Sequence, residues 1–287
     1  MPLRKTTTKR SQTRSGVRAR KRFGQHFLEP VWVDKLIHAI APQPGDVFLE
    51  IGPGQGAMTR PLAARAGWIV AFEIDRDLVA HLRASISPNV TIIEGDFLNV
   101  SAQELCAVPG AVAARPCRVV GNLPYNVASP ILFHLLSLRT AGIQIADATV
   151  MLQREVADRL TALPGSRDYG VLTVLVGLVA GVERVLTLPP GAFRPVPKVR
   201  SAVVRLTFHG PTPAPREPRT FQALVRCIFM HRRKTLANAL KTFSWGGSYP
   251  PTAALAAARL DGRRRPETLT IPELVGLSDI FASRPEA

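Results

Sequence analysis

The order of apolar segments predicts an α/β protein: a doubly wound sheet with helices on both faces, followed by a small helical domain. Three observations predict it. Short apolar runs recur with helix-length segments between them, as in sheets whose strands are joined by helical crossovers. Glycines and acids gather just after those runs, at the carboxyl ends where such sheets bind ligands. A proline-rich stretch then gives way to purely helical periodicity.

The elements follow in order. Asp46–Ile51 reads as the first strand and Met58–Ala66 as the helix behind its glycine-rich turn. Trp68–Ile74 is the second strand, with a helix over Arg76–Ser85, and Val90–Ile93 the third. Arg118–Val120 and Thr149–Leu152 supply the fourth and fifth, and the alternation indicates a parallel sheet covered on both faces. The longest apolar region, Val171–Val182, is broken by Thr173 and two glycines and reads as a buried core segment. It is too short and interrupted to span a membrane. Ser201–Phe208 alternates as a further strand. Gly210–Pro215 marks a domain boundary, beyond which Phe221, Leu224, Val225 and Ile228 recur at helical spacing. The expected organisation is a basic disordered arm over residues 1–22, a main domain over 23–209 and a small helical domain over 210–287.

Charge indicates the partner. Lys and Arg number 37 against 21 acids, a net charge of +16 that favours a polyanion through counterion release and steering. Nine of these cations, including Arg20, Lys21 and Arg22, lie between Met1 and Leu28 with no acid among them. Others cluster at Arg232, Arg233 and Lys234 and at Arg263–Arg265. Basic regions flanking a nearly neutral middle point to nucleic acid. Three widely separated cysteines without a CxxC pair argue against zinc or a disulfide framework and fit a reducing cytoplasm. The start of the chain has no apolar run resembling a secretory signal.

The chemistry is carried by three strand ends. Glu50-Ile51-Gly52-Pro53-Gly54-Gln55-Gly56 opens a helix with a turn that lets backbone approach a ligand closely. Glu73 closes the second strand, where a carboxylate can accept from ribose hydroxyls. To this point a nicotinamide dehydrogenase fits almost as well, since Gly52-x-Gly54-x-x-Ala57 satisfies the loose dinucleotide fingerprint. Asp96, after the third strand, is placed to accept from an adenine amine, or to cap a turn. An acid after strand two and another after strand three suit S-adenosylmethionine.

Gly121-Asn122-Leu123-Pro124-Tyr125 closes the fourth strand. A nucleobase amine is a poor nucleophile because its lone pair is delocalised into the ring. The Asn122 side-chain oxygen and the Leu123 carbonyl can each accept one N–H, directing the lone pair at an electrophilic methyl. Pro124 stiffens the loop, and Tyr125 offers a face for an extruded base.

Together with Phe23–Leu28, Glu73–Asp77, Met151–Val156, Tyr169-Gly170, Pro189–Val199 and Arg232–Leu236, these blocks resemble, in order, the bacterial small-subunit rRNA adenine N6,N6-dimethyltransferase family of the kasugamycin-sensitivity type. The resemblance runs from about Lys21 to Leu240. It implies a Rossmann-like class I methyltransferase sheet, with S-adenosylmethionine contacted by His26, Leu28, Gly52, Glu73, Asp96 and Asn122. It implies catalysis by Asn122, Leu123 and Tyr125, and a target adenine stacked between Tyr125 and Phe193. The basic residues Arg20, Lys21, Arg22, Arg232, Arg233 and Lys234 are expected to contact RNA, with no metal. The implied substrate is a pair of adjacent adenosines in the 3′-terminal hairpin of small-subunit rRNA, met in a pre-ribosomal particle by a cytoplasmic monomer without membrane attachment. His26 stands where the family usually has Asn, which leaves the role of that contact open. Two rivals are a large-subunit rRNA methyltransferase of the macrolide-resistance type and a non-enzymatic assembly factor on the same fold. The extended basic C-terminal region favours the small-subunit reading over the first, and the intact Glu73, Asp96, Asn122 and Tyr125 favour an enzyme over the second.

Overall fold

The computed structural model describes residues 26–108, 115–243 and 250–282; Arg20, Lys21, Arg22 and the rest of the N-terminal arm lie outside the described residues. A two-residue strand, β1 (Phe27–Leu28), leads into α1 (Pro30–Ile40). Then come β2 (Val47–Ile51), α2 (Thr59–Ala63), β3 (Trp68–Glu73), α3 (Arg76–Arg83), β4 (Val90–Glu94), α4 (Ala102–Ala107) and β5 (Cys117–Asn122). The chain continues through α5 (Ala128–Thr140), β6 (Ile145–Gln153), α6 (Arg154–Leu160), α7 (Val171–Gly177), β7 (Ala180–Leu188), β8 (Phe193–Arg194) and β9 (Ser201–Phe208). Helices α8 (Pro218–Met230), α9 (Leu236–Leu240), α10 (Pro251–Ala257) and α11 (Ile271–Ala282) complete it.

The main sheet has the order β4-β3-β2-β5-β6-β9-β7. Strands β2 to β6 run parallel, so their carboxyl ends meet along one edge. The order reverses direction at β2 and β5, and the crevice between their ends is where a ligand can enter. The alternation of side chains divides the core in two. Val47, Leu49 and Ile51 of β2 pack on the α5 side, while Phe48 joins α1, α2 and α3 on the other. At the opposite end of the strands the Arg118 guanidinium binds Asp46 and Asp147, at 2.8 and 2.9 Å, and the Ile40 carbonyl, anchoring the end of α1 to β5 and β6.

The expectation of a parallel sheet holds for five strands and fails at the far edge. There β9 runs antiparallel to β6, and β7 antiparallel to β9. The segment read as one buried core run, Val171–Val182, is in fact a helix that ends at Gly177 followed by a strand that begins at Ala180. An unbroken apolar run has neither period, so its division depends on neighbours: α7 packs toward the C-terminal helices and β7 toward β9. Polar Glu183 and Arg184 suit β7 because it is an edge strand.

Helices α8 to α11 pack around Phe221, Leu224, Ile228, Leu236, Leu240 and Leu274, together with Tyr169, Val174, Leu175 and Leu178 from around α7. The Arg264–Glu273 ion pair ties the turn before α11 to that helix. Among the described residues, no helix is long and apolar enough to cross a membrane.

Candidate functional site

A cavity of about 320 Å³ opens at the carboxyl ends of β2, β3, β4 and β5. Its size is that of a small-molecule site. It brings together His26, Leu28, Gly52, Glu73, Asp96, Asn122, Leu123 and Tyr125, residues that lie up to a hundred positions apart in the chain.

The glycine-rich turn forms the floor. Gly52, Gly54 and Gly56 all take positive φ, 71°, 59° and 79°, a region L side chains avoid. At Gly54 this turns the backbone N–H onto Glu73 Oε2 at 3.0 Å, while Glu73 Oε1 accepts the Asp75 N–H at 3.0 Å. The Glu73 carboxylate is thus held in one orientation at the end of β3. Each oxygen keeps a second acceptor position for a hydroxyl pair. Burial pushes its carboxyl above the ordinary value, while the N–H groups of Asp75, Gly54 and Ile74 pull it back toward the charged form.

Asp96 takes the capping role its position suggested and also lines the cavity. Its Oδ1 accepts the Leu98 N–H at 3.0 Å, capping the short turn Phe97–Asn99, and the residue lines the cavity with the second oxygen still able to accept. The turn is pinned from outside. Phe97 packs edge-on against Phe72 and His134, and His134 Nε2 lies 2.9 Å from the Val100 carbonyl, to which it must donate.

Beneath the turn, on the central strand, sits a carboxyl for which sequence reasoning had no use. Glu50 is fully buried, and neither oxygen has a hydrogen-bond partner among the described residues. Burial, reinforced by nearby Glu73, pushes it up to about 7. The Thr59 hydroxyl stands near enough to oppose that rise but does not close a hydrogen bond.

The Asn122–Tyr125 loop leaves β5 directly. The Leu123 N–H bonds the Met151 carbonyl of β6 at 3.1 Å, holding the loop to the sheet. Asn122 Nδ2 lies 2.8 Å from the His26 carbonyl. A carbonyl can only accept, so the amide nitrogen must face it, and Oδ1 is left as an acceptor at the cavity. Tyr125 is anchored through its hydroxyl to Ser201 Oγ at 2.8 Å, and burial pushes that hydroxyl up despite the hydrogen bond.

Phe193 is not brought to the cavity. It lies in β8, paired with Leu28 of β1, and is 0% exposed. His26 instead lies on Tyr125, with ring centroids 5.7 Å apart and planes at 24°.

A second concavity, a groove of about 970 Å³, runs from Ser129 of α5 to the turn after α8 and collects Arg159, Arg167, Arg226 and Arg232. Only Arg232 among these was singled out in the sequence; the others stand alone in separate segments and converge only in the fold. Arg233 and Lys234 are exposed beside it. Glu155 and Asp168 also line the groove, Glu155 paired with Arg159, just as Arg263 and Arg264 are engaged by Asp261 and Glu273.

The donor set fits S-adenosylmethionine. Glu73 offers acceptors for a ribose diol, Asp96 one for an adenine amine, and the glycine turn backbone that can be approached closely. A family described as Ribosomal RNA adenine dimethylase matches residues 16–271. A protein of Nitrosococcus oceani named Ribosomal RNA small subunit methyltransferase A is 46% identical over 267 residues, covering 92% of this chain and 96% of its own. One of the same name from Chromohalobacter salexigens is 44% identical over 268 residues, covering 92% of each. Among solved structures, a dimethyladenosine transferase from Plasmodium falciparum superposes with a TM-score of 0.72 at 25% identity, over 88% of this chain and 96% of that one. The 23S rRNA methyltransferase ErmE superposes at 0.63 with 27% identity, over 90% of this chain and 100% of that one.

Proposed function

The chain belongs to the ribosomal RNA adenine dimethylase family, and from that premise we propose that it dimethylates the N6 amines of two adjacent adenosines in the 3′-terminal hairpin of small-subunit rRNA. One observation carries the reading to this chain's own atoms. The His26 carbonyl takes the Asn122 amide nitrogen, which leaves the oxygen as an acceptor on a residue that lines the same cavity as Glu73 and Asp96.

S-adenosylmethionine, when bound, supplies an electrophilic methyl on a sulfonium. Glu73 would take the ribose hydroxyls and Asp96 the adenine amine, with His26, Leu28, Gly52 and Asn122 completing the contacts. The target adenine would enter from the opposite side and stack on Tyr125. Asn122 Oδ1 and the Leu123 carbonyl would each accept one N–H, localising the lone pair on N6 and holding it in line with the methyl. No strong general base is needed, because the alkylated amine is acidic and gives its proton to water. The Arg159–Arg232 groove and the exposed Arg233 and Lys234 provide counter-charge for phosphates. The reading includes a pre-ribosomal particle as partner and a cytoplasmic monomer as the working form.

The 42–46% identity to proteins named for the small subunit favours that substrate over the large-subunit one. The test is incubation with labelled S-adenosylmethionine and undermethylated small subunits, followed by mapping of the modified bases. Label on two neighbouring adenosines as N6,N6-dimethyladenosine is expected. Label confined to large-subunit rRNA would support the macrolide-resistance type, and no label would support an assembly factor without catalysis.

A further inference from the structure

We propose that Ser201 is a positioning residue for methyl transfer: it tethers the Tyr125 ring on which the target adenine stacks, and the second methylation depends on that tether more than the first; this rests on the function proposed above. The Tyr125 hydroxyl lies 2.8 Å from Ser201 Oγ, a residue 76 positions away in the chain. Tyr125 lines the cavity, whereas Ser201 is 0% exposed and stands behind it. The tether meets the ring at its far end. A tyrosine side chain swings about its Cα–Cβ bond, and holding the hydroxyl stops that swing. Burial makes the hydroxyl less acidic than usual, so it keeps its proton near neutral pH and serves as an anchor.

The anchor itself is fixed. Ser201 opens β9, which is paired on both sides, and stands in register with Gln153 of β6 and Leu188 of β7. The carbonyl of the preceding Arg200 accepts the Arg154 N–H at 3.0 Å. Ser201 therefore belongs to the sheet, although the loop before it exposes Val196 and Val199. A base stacked on Tyr125 is positioned by the same sheet that carries Asn122 at the end of β5.

The two transfers differ in what holds the amine. In each, the N6 lone pair forms the N–C bond as the S–C bond breaks, S-adenosylhomocysteine leaves and one proton passes to water. Adenosine brings two N–H groups to Asn122 Oδ1 and the Leu123 carbonyl. N6-Methyladenosine brings one, so one acceptor loses its partner. Stacking then carries a larger share of the alignment with the sulfonium methyl.

The experiment uses the full chain with Ser201→Ala, with Tyr125→Phe, which keeps the ring and loses the hydroxyl, and with both changes together. With enzyme in excess over undermethylated small subunits, N6-methyladenosine and N6,N6-dimethyladenosine are followed in time by mass spectrometry of digested rRNA. Calorimetry gives the S-adenosylmethionine affinity. For Ser201→Ala we expect the second transfer to slow at least tenfold and the first less than threefold, so that N6-methyladenosine accumulates, with cofactor affinity within twofold. Tyr125→Phe should behave alike. The double variant should stay within twofold of the slower single one, because both changes remove the same bond. An unchanged ratio of second to first rate constants in either single variant would overturn the proposal. So would losses that multiply in the double variant, which would make Ser201 a merely structural residue, or a fivefold loss of cofactor affinity. Should Ser201→Ala fail to fold, the ratio in Tyr125→Phe decides alone. If the wild-type chain transfers no methyl to adenosine, the function reading itself falls and the proposal with it.

Discussion

At the scale of single residues, the site depends on which atom of a side chain is left free. Asn122 has one donor group and one oxygen, and the His26 carbonyl claims the donor. Asn122→Ala removes the free oxygen and releases the His26 segment. Methyl transfer should fall far more than tenfold, a barrier increase well above about 1.4 kcal/mol, while most cofactor affinity survives. Single-turnover rates beside equilibrium binding check it, and a variant retaining a tenth of the wild-type rate would refute the polarising role. Glu50 is the opposite case, a carboxyl with no hydrogen-bond partner among the described residues. Its folded-state value of about 7 lies above the ordinary 4.5. Below pH 4.5 it is protonated whether the chain is folded or not and costs nothing. Between 4.5 and 7 the unfolded chain gives up the proton and the folded one keeps it, so stability falls as pH rises. Above 7 the loss is complete, at most about 3 kcal/mol. Urea melts of the cofactor-free protein from pH 5 to 8 should show this decline in wild type and a flatter profile in Glu50→Gln. Parallel profiles would mean that Glu50 ionises in the fold without cost.

At the scale of elements, the central pair β2 and β5 sets the spacing between the glycine-rich turn and the Asn122–Tyr125 loop. Gly121 pairs with Ile51 across those strands. A Cβ there would stand 2.8 Å from the Ile51 carbonyl oxygen, which is backbone and cannot swing aside. Gly121→Ala should therefore part the strands, lowering stability by about 1–3 kcal/mol. It should lower methyl transfer further than a shift in stability alone explains, because Asn122 is the next residue. Thermal melts and kcat, measured well below the melting temperature, separate the two effects. Full activity in a destabilised variant would show that the loop tolerates the movement.

At the scale of the whole molecule, the question is how a chain of net charge +16 meets a polyanion. The cation groove is built from α6, α8 and the loops before α7 and α9, next to the Asn122–Tyr125 loop that leads into α5. The N-terminal arm adds nine cations of its own. Deleting Met1–Arg20 removes seven of them and should weaken RNA binding and flatten the slope of log affinity against log salt. Filter binding at several salt concentrations measures both. An identical slope would show that the arm does not touch phosphate.

The sequence by itself determined the strands whose ends hold chemistry, because glycine turns, strand-terminal acids and the Asn-Leu-Pro-Tyr loop are local: their meaning lies in bonds made within a few residues. It also determined the family, through the order of those blocks. It did not determine the direction of the edge strands or where Val171–Val182 divides, since an unbroken apolar run suits helix and strand alike until a neighbour is chosen. Nor did it reveal the convergence of Arg159, Arg167 and Arg226, the isolation of the Glu50 carboxyl, or the placing of His26 rather than Phe193 against Tyr125. Each of these is a contact between segments far apart in the chain. Only the closing of the sheet and the packing of its helices bring such partners within van der Waals reach, and that distance decides which ring is buried and which faces the cavity.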